Sequence, residues 1–90
     1  MISHINDKFK KAYKKLPIEI RTTAKKQYKA FQNDPYHASL HFKRVHSSRA
    51  IYSARITQNY RTIGILKDDV IIWFWIGSHD DYDKLLKRKL

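Results

Sequence analysis

Cysteine is absent from this 90-residue sequence. That excludes a disulfide framework, a thiol nucleophile and any zinc site built on thiolates, and it fits a reducing compartment. Glycine and proline occur only twice each, so there is no glycine-rich phosphate loop and no low-complexity linker. Acidic residues are scarce, 8 against 19 lysines and arginines, for a formal net charge of +11. No paired-carboxylate site and no Ser-His-Asp order can be read. Long apolar runs are missing as well. The longest, Val70 to Ile76, falls far below the ~20 residues that span a bilayer, so a membrane is not an expected partner. Met1 to Lys15 contains no apolar signal-peptide region, and the cytoplasm is the expected location.

What remains is short and strongly basic. Residues 1–90 are expected to form a single domain, and a chain of this length buries only roughly 60–65% of its unfolded surface. A modest core and a shallow pocket follow, which suit a macromolecular substrate or a site completed by a partner. A charge this lopsided repels itself and favours polyanions, nucleic acid first and an acidic protein second.

The apolar pattern changes period at Pro35. Before it, Asn6 is a candidate N-cap for a helix with Phe9, Ala12, Tyr13 and Leu16 on one face. Pro17 fits the first turn of a second helix striped by Ile20, Ala24, Tyr28 and Phe31, which Asn33-Asp34-Pro35 stops. Lysines and arginines cover the outer faces, so a basic antiparallel helical hairpin is expected. Residues 2–5 allow a short edge strand. After Pro35, Leu40 to Val45 suggests a strand with a bulge at its end. Ile51 to Ile56 and Tyr60 to Leu66 read as strands joined by a three-residue loop, Thr57-Gln58-Asn59. Lys67-Asp68-Asp69 turns into Val70 to Ile76, apolar on both faces and therefore an interior strand. Asp80 to Lys89 can form a closing helix with Leu85 and Leu86 toward the sheet. The expected fold is α+β: an N-terminal helical hairpin on a small antiparallel meander with a short C-terminal helix, in two layers.

Four residues could carry chemistry. Arg55 and Arg61 flank the first hairpin turn, where bidentate donors could hold a phosphate and stabilise a pentacovalent transition state. The plainer alternative is that both are solvated or pair with Asp80 or Asp81. His79 and Tyr82 are three apart and share a helix face. Imidazole and a phenol near cations can both move protons, or Tyr82 simply packs on the sheet while His79 caps the helix. Lys43 and Arg44 are candidates for phosphate contact, and His41 for contact with RNA. Pro35 and the strand pattern prevent a helical pair among His37, His41 and His46, and no local carboxylate completes a ligand set, so no metal is expected. Trp73 and Trp75 share parity with Ile71 and read as core rather than as base-stacking platforms.

Several segments together resemble the RelE/ParE superfamily, the toxins of type II toxin–antitoxin systems. They are Asn33-Asp34-Pro35 with Leu40 to Lys43, Tyr52 to Ile56, Asn59-Tyr60-Arg61, and the stretch from Trp73 through Gly77-Ser78-His79 to Tyr82 and Leu85. The resemblance implies a RelE-like fold and a small endoribonuclease (mRNA interferase) that cuts mRNA in the ribosomal A site and inhibits translation. It implies attack by the ribose 2′-hydroxyl, with no metal and no small-molecule cofactor. Arg61 matches the arginine that stabilises the transition state, Arg55 a binding or base position, and His79 an acid or electrostatic contact. Tyr82 matches the terminal aromatic of other branches, at a different spacing. The implied partners are mRNA, ribosomal RNA facing the basic helices, and a cognate acidic antitoxin covering the sheet and groove. Two alternatives stay open: a ParE-like inhibitor of DNA gyrase, and an inactive member that only binds antitoxin or RNA.

Overall fold

The computed structural model describes residues 1–88. Asn6 caps the first helix: its Oδ1 accepts from the Phe9 amide at 3.0 Å, and α1 runs Asp7–Lys14. The Lys15 and Leu16 amides bond back to the Ala12 and Tyr13 carbonyls and end it. Pro17 stands at the N-cap of α2 (Ile18–Asn33), one residue outside the expected first-turn position, and its carbonyl accepts from Ile20 and Arg21. A proline there has no amide to leave unsatisfied.

Five strands, β1 (Ile2–Ile5), β2 (Lys43–Arg44), β3 (Ile51–Thr57), β4 (Tyr60–Lys67) and β5 (Val70–Ser78), form one sheet in the order β1-β5-β4-β3-β2. β2 to β5 pair antiparallel as expected, but β1 runs parallel to β5 and makes the sheet mixed. This is why β5 is apolar on both faces: it lies between two neighbours and under helices. The closing helix, α3 (His79–Arg88), follows β5 without a loop. The expected final residue of that helix, Lys89, lies outside the described residues.

Two corrections concern the strands. Leu40 to Val45 is not one strand, because Ala38–Leu40 is a 3-10 turn closed by His41 in the left-handed region (φ 45°). That turn sends Leu40, 1% exposed, into the same cluster that Phe42 packs against. The β3–β4 loop is Gln58-Asn59, two residues rather than three, because Thr57 already pairs with Tyr60. Neither loop residue has a positive φ, so the turn lacks the twist of the favoured two-residue hairpins. The register slips at Ile56 between Arg55 and Thr57, and a bulge of this kind restores the strand twist.

A second bulge decides which side chains face which helix. Ile63 pairs with Trp75 but Gly64 pairs with Trp73, leaving Phe74 extra on β5. Ile71 and Trp73 therefore lie under α1 and α2, while Phe74 and Trp75 belong to the face covered by α3. The shared parity expected for the two tryptophans does not hold. Trp73 is core at 2% exposure, whereas Trp75 is half-buried. The layers also number three rather than two, since α3 covers the face opposite α1 and α2. Phe31 meets Phe42 and Trp73 edge-on at 5.1 and 5.2 Å. The Trp73 indole Nε1 donates to Ser3 Oγ, which donates to the Tyr28 hydroxyl, both at 3.1 Å. β1 is thereby fastened to α2 and the buried indole is satisfied.

Candidate active site

Arg55 stands directly opposite Arg61 in the β3–β4 ladder, and opposed residues of an antiparallel pair leave the sheet on the same face. Two positions along, Ser53 faces Ile63, and Ile63 packs with Tyr82 of α3. Both guanidiniums therefore emerge on the α3 face. On β5 the residue opposite Arg61 is Gly77, whose absent Cβ would lie 2.5 Å from Cζ2 of Trp75. The indole thus lies across the glycine, on the face that carries Arg61.

His79 reaches the same end of the sheet because α3 starts at once after β5. Its amide donates to the Asn59 carbonyl at 2.7 Å, fixing the helix start to the β3–β4 turn. Ser78 caps the helix by accepting from the Asp81 amide at 3.2 Å. The imidazole Nδ1 lies 3.2 Å from Oδ2 of Asp83, and the ring centroid lies 5.6 Å from that of Tyr82. Tyr82 itself is 7% exposed and packs with Ile51 and Ile63. Of its two sequence readings, packing on the sheet is the arrangement found.

Among the described residues no carboxylate pairs with Arg55 or Arg61, so the pairing with Asp80 or Asp81 does not occur. Nη1 of Arg61 and Oγ of the fully buried Ser53 have no hydrogen-bond partner. An unsatisfied buried donor costs about 1–3 kcal/mol, more when charged. Like charges directly opposed on a sheet add a further penalty. Two opposed guanidiniums and an idle buried donor are groups that can hydrogen-bond an anion.

The other candidates are placed as follows. Lys43 pairs with Ser53, so it shares the face of the two arginines from the exposed edge strand β2. Arg44 pairs with Tyr52 and is turned to other work: its Nε donates to the carbonyls of His46 and Arg49 at 3.0 and 3.3 Å, bracing the loop before β3. His41 is exposed at the end of the 3-10 turn, outside the cluster. His37 and His46 accept amide bonds within their own turns. Sequence reasoning passed over three groups here: Ser53, Asp83 and Gln27, whose Nε2 donates to the Arg55 carbonyl at 3.2 Å from α2. Ser53 and Gln27 have no local signature, because their neighbours are set across the fold, whereas Asp83 stands one helical turn after His79, a spacing that the sequence does show.

The opposite face holds a different feature. A groove of about 680 Å³ runs between α1 and α2 over the sheet, walled by Phe9, Tyr13, Ala24, Tyr28 and Phe31 above Trp73. Its rim is basic, with Lys10 and Lys14 on α1 and Arg21, Lys25 and Lys29 on α2.

A family model described as a ParE-like toxin domain matches residues 18–84. The chain belongs to the ParE-like toxin domain family. No curated protein sequence matches it. Among solved structures, this toxin domain resembles a chain of the RelB–RelE antitoxin–toxin complex from Methanococcus jannaschii, at 24% identity and a TM-score of 0.73, covering 90% of this chain and 96% of that one. It also resembles YafQ from E. coli strain BL21(DE3), at 16% identity and a TM-score of 0.71 over 89% and 94% of the two chains. The YoeB dimer of Staphylococcus aureus matches at 14% and 0.67, over 88% and 97%. The α+β fold of this toxin domain is therefore the RelE-like one. No helix among its described residues is long and apolar enough to cross a membrane.

Proposed function

We propose that this toxin domain is an endoribonuclease that cuts mRNA on the ribosome. The observation that carries the reading is the opposition of Arg55 and Arg61, unpaired with any carboxylate among the described residues, at the end of the sheet where α3 presents His79. Phosphodiester cleavage needs cations at the phosphate and a group that moves protons, and it can use the substrate's own nucleophile. The 2′-oxygen bonds to phosphorus as the bond to the 5′-oxygen breaks. The 2′-hydroxyl gives its proton to solvent water as it attacks, and protonated His79 gives one to the departing 5′-oxygen. Arg61 stabilises the charge that builds on the phosphoryl oxygens. Arg55 holds the phosphate rather than acting as a base, because a guanidinium stays protonated in proteins. Lys43 extends the phosphate track to the sheet edge. Tyr82 anchors α3 and flanks the His79 ring. The guanidiniums supply the positive charge at the phosphate, so the reading requires no metal and no cofactor.

The rows of lysine on α1 and α2 supply the charge for ribosomal RNA. In the neutralised state an acidic antitoxin covers the sheet and the apolar groove, meeting the same rims with carboxylates. Several structural relatives are named as antitoxin–toxin complexes. Such a substrate places the action in the cytoplasm. The single domain of residues 1–90 is the acting unit.

The test is cleavage of mRNA on programmed ribosomes by purified protein in chelator, with mass analysis of the new ends. The reading expects a cyclic or 3′ phosphate and loss of the reaction in Arg61→Ala. The family description, ParE-like toxin, favours a second reading as a gyrase inhibitor. That reading expects intact mRNA and a DNA-damage response on expression.

A further inference from the structure

Asp83 lies one helical turn beyond His79, with its Oδ2 3.2 Å from Nδ1 of the ring. As a stability device the pair is poorly chosen. Helical ion pairs favour the acid on the N-terminal side, and here the base comes first, at the positive end of the helix dipole. Both side chains are also largely exposed, at 42% and 49%, where such pairs contribute little. A carboxylate beside a site that must accept phosphate also repels the substrate. Two unfavourable features at one residue call for a compensating role.

We propose that Asp83 is a positioning residue for His79, an inference that rests on the nuclease reading. Its carboxylate accepts the proton of Nδ1 and fixes the ring's tautomer, so that Nε2, which has no partner among the described residues, is the nitrogen that exchanges a proton with the substrate. The same carboxylate steadies the imidazolium before it gives its Nε2 proton to the leaving 5′-oxygen. Tyr82 flanks the imidazole on a second side, and the bond from the His79 amide to the Asn59 carbonyl fixes the backbone from which the ring projects.

The test compares wild type with Asp83→Ala and Asp83→Glu in single-turnover cleavage of mRNA on programmed ribosomes. Nitrogen NMR of the free protein in mildly alkaline buffer reads the tautomer in parallel. Removing the carboxylate is expected to slow the cleavage step by about tenfold to a hundredfold, by analogy with the loss of the carboxylate that orients a metal-bound histidine. The concentration for half-maximal rate should stay level or fall, since a negative charge leaves the site. Asp83→Glu should recover most of the rate. The neutral ring should carry its proton on Nδ1 in wild type and shift it to Nε2 in Asp83→Ala. An unchanged cleavage rate and tautomer in Asp83→Ala overturns the inference. So does a loss expressed only as weaker substrate binding. A wild-type protein that cuts no mRNA overturns the nuclease reading itself, whatever the tautomer.

Discussion

Replacing Arg61 by alanine separates a catalytic arginine from a structural one, because the two roles predict opposite effects on stability. Three contributions act on the fold. Removing one of two like charges opposed across β3 and β4 relieves roughly 0.2–1 kcal/mol. Removing the buried Nη1 that lacks a partner relieves about 1–3 kcal/mol. Against these stands the lost contact of the aliphatic stem, about 0.8 kcal/mol for each buried methylene. The sum lies near zero or slightly on the stabilising side. Since 1 kcal/mol moves the melting temperature of a domain this size by ~4–8 °C, the variant should melt within a few degrees of wild type. Cleavage should respond very differently. One donor aimed at transition-state charge is worth about 2.7–4 kcal/mol, or 10²–10³ in rate. The assay is a thermal melt beside single-turnover cleavage on programmed ribosomes. An Arg61→Ala protein that melts more than ~15 °C lower, or that cuts at the wild-type rate, refutes the assignment.

Further outcomes follow from the same geometry. Lys43→Ala should weaken RNA binding modestly and reduce the slope of affinity against salt by about one, read from binding titrations at several ionic strengths. Tyr82→Phe should keep both fold and cleavage, whereas Tyr82→Ala should cost ~3–5 kcal/mol of stability in denaturant melts, since the ring is core. Gly64→Ala should destabilise the sheet, because a Cβ there meets Trp73 Cε3 at 2.7 Å; urea unfolding reads the loss. Asn6→Ala should lower stability by about 1 kcal/mol by removing the cap of α1, seen in the same urea unfolding measurement.

How much of this was readable from residues alone depends on whether the signal was local. Asn6, Pro17 and Asn33-Asp34-Pro35 act within one turn of themselves, and the helix bounds they imply agree with α1 and α2 within a residue or two. β5 was legible as interior because it is apolar on both faces. For the same reason its bulge was not: a strand with no polar side gives no marker of register, and Phe74 can be skipped without any change of pattern. His41 in the left-handed region misled in a similar way, since Leu40 and Phe42 imitate strand alternation while reaching one cluster by a turn. At the candidate site the arginines and His79 were visible as residue types near element ends. Their convergence needed the register that sets Arg55 against Arg61. Ser53 and Gln27 were invisible because their neighbours are set only by folding; the one-turn spacing of His79 and Asp83 was legible, but helical acid–base pairs are common and carry no signal of chemistry alone.

The most direct measurement is induced expression of wild type and the Arg61→Ala/His79→Ala double variant, with mRNA 5′ ends and DNA damage read in the same cells. New in-frame cuts within coding sequences, present with wild type and absent with the double variant at equal protein level, are the expected result. Intact mRNA with a DNA-damage response, or equal cutting by both proteins, contradicts the account.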